Sequence, residues 1–190
     1  MVATFGCKSY VKYRYGFTEP CEETPESLAS FLEKQKFPLG NMYIFADSSS
    51  YYAMLRNRVF RKNLLSHMYF DRKGLLLVRD TGQCQWSGGE ALTTLCPDSS
   101  FVVWPGLTLS DILPHILPMG ASAGADSLKP GPDFTVVVTW AKFIGGYNYR
   151  LFNLSDAARA NKKSRIRMIW LNLDLQKSWH VTPRQRVTLR

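Results

Sequence analysis

The chain has 190 residues, 45% hydrophobic, 13% aromatic and 21% charged, with a formal net charge of +9. That size and composition suit a single core, and eleven Phe, nine Tyr and five Trp exclude global disorder, because burying them offsets the entropy of ordering. Ordinary Gly and Pro contents exclude collagen-like and low-complexity classes, and no apolar run reaches the roughly 18–20 residues of a helical membrane span.

Residues 1–23 are aromatic, charged and unpatterned, and read as an N-terminal arm before one domain over 24–190. Thr24-Pro25-Glu26 starts a helix with a capping hydroxyl, a proline at the first helical position and an acid near the positive dipole end. Leu28, Phe31 and Leu32 keep its spacing, and Pro38 with Gly40 end it. Met42–Ala46 reads as a short buried strand ending at Asp47. Ser48-Ser49-Ser50 caps a second helix, with Tyr51, Tyr52, Leu55 and Val59 on its inner face. Leu64–Phe70 and Leu75–Val78, joined by Asp71-Arg72-Lys73-Gly74, read as a β-hairpin.

Ala91–Leu95 is a short helix after Gly88-Gly89, and Phe101–Trp104 a strand ended by Pro105-Gly106. Thr108 caps a helix carrying Leu109, Ile112, Leu113, Ile116 and Leu117, with Pro114 near its start as a source of a kink. Residues 118–133, rich in small residues, Pro and Gly, read as an internal linker. Then comes the clearest unit: an apolar strand Phe134–Trp140, a helix over 147–160 and a second buried strand Ile166–Leu175. Strand, helix and strand in so short a span require a right-handed crossover and parallel pairing. The fold class is α/β with a mixed sheet flanked by helices.

The charge is uneven. Residues 56–79 hold seven Lys or Arg against Asp71, and residues 155–190 hold nine against Asp156 and Asp174. Two such segments on one face would attract nucleic acid or an anionic surface, although no RRM or zinc-finger signature accompanies them. The cysteines, Cys7, Cys21, Cys84 and Cys96, form no Cys-x-x-Cys, and His67, His115 and His180 show no ligand spacing beside them, so no metal or cofactor is expected. Pairing of Cys7 with Cys21, or of Cys84 with Cys96, stays open.

Gly120-Ala121-Ser122-Ala123-Gly124, followed by Asp156 or Asp174 and His180, matches the hydrolase order on paper. It lacks the strand-to-helix context that exposes such a serine, and reads as linker. Cys84, with Arg79 as a source of positive field, is the candidate for single-thiol chemistry; a structural cysteine packed beside Trp86 is the commoner case. His67 and His180 read as strand-end or surface histidines, and Trp140, Trp170 and Trp179 as core or rim aromatics.

Thr4-Phe5-Gly6-Cys7 resembles the tail of a bacterial lipoprotein signal, which makes Cys7 a lipid-attachment candidate at the cell envelope. Only six residues precede it, without the charged and apolar parts of such a signal; an ordinary thiol there implies a cytoplasmic chain. Trp140-Ala141-Lys142-Phe143-Ile144-Gly145-Gly146-Tyr147 and the strand ending Trp170-Leu171-Asn172-Leu173-Asp174 resemble the opening of a thioredoxin-like domain, particularly the membrane-tethered reducing type. In that family the strand ends in Trp-Ala-x-Trp-Cys-x-x-Cys. His67–Gly74 is similar to the hairpin turn of thioredoxin-like and peroxiredoxin-like chains, with Ser66 near the place of their cis-proline.

The resemblance implies a thioredoxin-like sheet, permuted or extended at its N-terminus, since the hairpin and the segment after Gly88 precede the βαβ unit instead of following it. Ile144 and Tyr147 stand where the cysteines belong. Thiol–disulfide exchange needs an attacking and a resolving thiol, so the implied protein is redox-inactive and binds or scaffolds a protein or peptide partner. Lys142, Ile144, Gly145, Gly146, Tyr147, Asn148 and Tyr149 are its candidate binding loop, with backbone N–H groups directed outward at a helix start.

Overall fold

Phe134–Trp140 and Ile166–Asn172 form the centre of the sheet because their middle residues, Val136–Val138 and Met168–Leu171, are apolar on both faces of the pleat, which only a strand covered on both sides tolerates. The computed structural model describes Arg14 and residues 16–79, 88–97, 101–119 and 131–181. Its strands are β1 (Met42–Phe45), β2 (His67–Asp71), β3 (Leu75–Arg79), β4 (Phe101–Thr108), β5 (Ile116–Pro118), β6 (Phe134–Trp140) and β7 (Ile166–Asn172). Its helices are α1 (Pro25–Lys34), α2 (Ser48–Arg56), α3 (Arg58–Lys62), α4 (Gly88–Thr94), α5 (Leu109–Ile112), α6 (Asn148–Phe152) and α7 (Leu154–Ala160).

The seven strands lie in the order β4-β3-β2-β6-β7-β1-β5. β6 and β7 pair in parallel along their full length, from Phe134 opposite Ile166 to Trp140 opposite Asn172, and β1 adds in parallel to β7. The hairpin β2–β3 joins antiparallel at β6, and β4 and β5 close the two edges antiparallel. Val136, Val138, Trp140 and Trp170 face one layer with α1, α4, α6 and α7, while Val137, Ile169 and Leu171 face the other with α2, α3 and α5. The result is three layers around a mixed sheet.

Local chemistry sets the element ends. Thr24 and Ser27 cap α1 reciprocally, each side-chain oxygen accepting the other's backbone N–H. The second helix is capped by Asp47, one residue before the serine cluster, through Ser50 N–H to Asp47 Oδ1 at 2.7 Å. It also ends earlier than its sequence spacing implies. Asn57 leaves the helical region and caps α3 afresh, accepting from Val59 N–H at 2.9 Å and Phe60 N–H at 3.1 Å, so that Tyr51, Met54 and Phe60 become the buried face.

Two expectations fail at prolines. The helix expected through Leu117 stops at Ile112; Leu113–His115 tightens into a 3-10 turn and Ile116–Pro118 becomes an edge strand against β1. Pro114 lacks the N–H that the next helical turn needs, and Ile116 in with Leu117 out then satisfies strand alternation. Conversely, β4 runs through Pro105-Gly106 to Thr108. An edge strand tolerates proline, and Gly106, at φ +102 with a virtual Cβ 3.3 Å from Val59 Cγ2, absorbs the register shift opposite β3. The 147–160 helix is likewise two short helices divided at Asn153.

Trp170 lies 3% exposed, with its ring centroid 4.9 Å from Phe37 and 5.8 Å from Phe152. Trp170→Ala leaves a cavity under α6 and should lower unfolding free energy by about 3–5 kcal/mol. Denaturant titration checks it; a loss below about 1 kcal/mol would contradict a central, packed β7.

Candidate functional site

Because β6, β7 and β1 are parallel, their carboxyl ends share one edge of the sheet, the place where open α/β sheets bind ligands. β7 leaves its core stretch as Asn172-Leu173-Asp174-Leu175-Gln176, and all three alternate polar residues are buried. A buried carboxylate must be hydrogen-bonded to persist. Asp174 accepts from Lys142 N–H at 2.6 Å and from Asn172 Nδ2 at 2.7 Å, and a further bond comes from the Phe143 backbone. Gln176 Nε2 donates to Asp174 O at 2.9 Å, and Asp174 N–H to Asn172 Oδ1 at 3.0 Å.

A second buried carboxylate adjoins it. Glu23 bridges to Gln176 as an extra short strand, with Glu23 N–H donating to Leu175 O at 2.7 Å and Lys177 N–H to Glu23 O at 2.8 Å. Its side chain, 5% exposed, accepts from Lys142 Nζ at 2.7 Å, Ser27 Oγ at 2.5 Å and Cys21 Sγ at 3.0 Å. Residues 18–23, assigned by sequence to the arm, therefore lie against the loops after β6 and β7, with Thr18 N–H on Phe143 O as well.

The two acids titrate oppositely. Burial lifts Asp174 to about 6, only partly offset by its donors. Burial also works to raise Glu23, but the bonds from Lys142, Ser27 and Cys21 outweigh it and hold the carboxyl below its ordinary range. Cys21 is pushed up by its bond to Glu23, which favours the thiol over the nucleophilic thiolate.

The candidate loop sits between this cluster and a cleft. Lys142–Tyr147 is a six-residue 3-10 helix with a kink at Gly145, φ +51. Its leading N–H groups, expected to face a partner, meet the chain's own Asp174 carboxylate instead. Ile144 is fully buried, and buried Asn148 closes the loop by donating from Nδ2 to Ala141 O at 2.8 Å and Gly145 O at 3.1 Å. Lys142 is held by Glu23. Tyr149 points outward, 68% exposed, whereas half-buried Tyr147 packs against the core and edge-on against Phe17, with the Arg150 guanidinium 5.7 Å above its ring.

Beyond Tyr147 opens a cleft of about 1360 Å³, bounded by α3, the start of β2, β4 and α6. Arg58 and Lys62 of α3 and Arg150 of α6 line it, and among the described residues that line it none is an Asp or Glu. His67, Tyr69, Phe101, Trp104 and Tyr147 are among its lining residues. His67 packs edge-on against Tyr69 at 5.2 Å, and burial depresses its pKa. The first basic segment divides: Arg58 and Lys62 line the cleft, whereas Arg72 acts together with Arg165 of the second segment on Asp133, at the amino ends of β6 and β7.

The remaining sequence candidates do not assemble. Asp156 pairs with Arg159 on exposed α7, His180 is an exposed residue in the left-handed region, and Asp174 is buried in its own network. Cys7, Cys84 and the Gly120–Gly124 motif lie outside the described residues. Among the described residues, no three His, Cys, Asp or Glu side chains are grouped to hold a metal ion. Sequence reasoning missed Glu23, which lies in an unpatterned stretch, and the role of Arg58, Lys62 and Arg150 as walls of one cleft. The alternation Asn172, Asp174, Gln176 after an apolar strand was the available signal for the buried network.

Between about pH 4 and 6 the folded chain retains a proton on Asp174 that the unfolded chain releases, so this carboxyl's contribution to stability falls as pH rises through that window. The decline is on the order of 3 kcal/mol at most. Glu23 acts in the opposite sense and lower, losing stability as pH falls below its ordinary 4.5. Asp174→Asn should therefore flatten the fall in denaturation midpoint between pH 4.5 and 6.5, and an unchanged slope would assign it to another group.

No family model, curated protein or solved structure matches the chain.

Proposed function

We propose that this chain is a binding protein without dithiol chemistry, built on a permuted thioredoxin-like sheet, and that its cleft receives an anionic partner. The observation that carries the reading is the cleft's charge: Arg58, Lys62 and Arg150 line it, and among the described residues that line it none is an Asp or Glu. A concave surface of one sign concentrates ligands of the other, because low-dielectric walls focus the field.

Topology supports the thioredoxin-like part. A βαβ unit (β6, α6–α7, β7), a hairpin docked antiparallel on its first strand and a helix after that hairpin are the parts such a domain needs. Here hairpin and helix precede the βαβ unit. The helix after the hairpin, α4, packs on α7, where buried Asn161 Nδ2 donates to Leu92 O and Leu95 O, each at 2.7 Å. Ser66, near the place of the family's cis-proline, exchanges bonds with Thr139 at the end of β6: Ser66 N–H to Thr139 Oγ1 at 3.1 Å and Thr139 N–H to Ser66 O at 2.9 Å. At the cysteine positions, Ile144 is buried and Tyr147 faces the cleft, and neither can form a thiolate.

Calorimetric titration with a heparin fragment, a polyanion without aromatic groups, tests the binding. The expectation is saturable binding that weakens with salt and falls at least tenfold in the pair Arg58→Glu/Lys62→Glu. Absence of binding, or binding indifferent to that pair, would overturn the anionic cleft. Insulin-disulfide turnover by a variant lacking all four cysteines would overturn the redox-inactive assignment.

A further inference from the structure

We propose that residues 17–23 form an ionic strap across the exits of β6 and β7, latched by the Glu23 carboxylate, and that protonating this carboxylate frees the strap while the sheet stays folded. The strap is independent of the anionic cleft and stands or falls without it.

The first argument is how little apolar surface holds this segment. It lies between Gly16, at φ +65, and Thr24, the cap of α1. Thr18, Glu19, Pro20 and Cys21 are exposed, and Glu23 is the buried residue of the seven. Half-buried Phe17 adds an edge contact to Tyr147 at 6.5 Å. A segment with few buried apolar contacts opens at a lower free energy than the core, and its polar anchors decide when. The backbone anchors are Thr18 N–H on Phe143 O at 2.9 Å, and Glu23 between Leu175 O and Lys177 N–H at 2.7 and 2.8 Å.

The second argument is the chemistry of the latch. Three segments send a donor to the Glu23 carboxylate: Lys142 Nζ after β6 and Ser27 Oγ of α1 to Oε2, and Cys21 Sγ of the strap itself to Oε1. Three donors suit an ionised carboxylate, which only accepts. A proton on it sets a fourth donor among them and strips the buried end of the Lys142 ammonium of its counter-charge. The same donors hold the carboxyl below its ordinary range, so the closed strap prefers the ionised form and acid favours the open one.

The other titrating groups facing Glu23 do not supply this response. Asp174, after β7, opposes Glu23 by like charge, but it already carries its proton in the range where Glu23 gains one. Cys21 is pushed up and stays a thiol there. Release takes Thr18 off the Phe143 carbonyl and Phe17 off Tyr147, while the bond from Lys142 N–H to Asp174 keeps the inner side of the turn in place.

The experiment is amide hydrogen exchange of the full chain, followed residue by residue by NMR at about pH 6 and about pH 3 and expressed as protection relative to the unstructured rate. Thr18, Glu23 and Lys177 should lose protection together in acid, at least tenfold more than the Val136–Val138 amides of central β6. Glu23→Gln keeps the shape but places an amide donor among the three donors, so it should show the released pattern already at pH 6, with no further relative loss in acid. Lys142→Met should move the release to higher pH, and Asp174→Asn should leave it where it is. The β6 amides verify the fold of each variant, and the wild-type comparison and Lys142→Met decide the matter if Glu23→Gln does not fold.

Strap amides that lose protection only in step with β6 would show that the segment opens only with the whole sheet, and would overturn the proposal. Wild-type protection in Glu23→Gln at pH 6, or an unmoved release in Lys142→Met, would overturn the latch. Loss of the acid response in Asp174→Asn would make Asp174 the trigger and overturn the assignment to Glu23.

Discussion

The carboxyl edge of the sheet is organised by one buried interaction: the Asp174 carboxylate set against the backbone N–H groups that follow β6. A buried carboxylate without donors costs several kcal/mol, so the Lys142 and Phe143 amides, with Asn172, are what permit Asp174 to lie there. In return, that carboxylate fixes where the chain turns after β6. Lys142 extends the network to Glu23 through its ammonium, which pins residues 18–23 across the exits of β6 and β7. Three segments remote in sequence thereby meet at one edge.

The consequence for binding is geometric. With its leading amides engaged by Asp174, the 142–147 turn leaves its far end toward the cleft, which Tyr147 and Arg150 line. Ile144 and Asn148 serve the interior, one by filling it and the other by tying the loop to Ala141 and Gly145. The same short segment thus has a structural side and a side turned to the cleft. The trough owes its other walls to irregularities: α2 breaks at Asn57 so that α3 can present Arg58 and Lys62, and β4 shifts register at Gly106 while leaving Trp104 half exposed.

Charge follows the same division. Arg165 is paired with Asp133, and Arg159 with Asp156, so two of the nine cations in the C-terminal segment are locally compensated on the surface, where such pairs contribute little to stability. Among the described residues that line the cleft, none is an Asp or Glu.

Much of the architecture was legible in the sequence. The βαβ unit, the hairpin around Asp71–Gly74, the capped start of α1 and the buried strand ending at Asp47 all follow from periodicity and caps, which act over a few neighbouring residues. Where local signals competed, tertiary structure decided. The apolar spacing of Leu109–Leu117 fits a helix, yet Pro114 and the open edge of β1 make its end a strand; Pro105 reads as a strand end, yet at a sheet edge no ladder hydrogen bond depends on its nitrogen. The site was legible only in part. The loop 142–149 announced itself by its glycines and its place between strand and helix, but whether its amides face a ligand or Asp174 depends on a residue more than thirty positions away. Arg58, Lys62 and Arg150 belong to different elements, and a cleft between elements has no sequence pattern, because it exists only once the sheet order has brought its walls together.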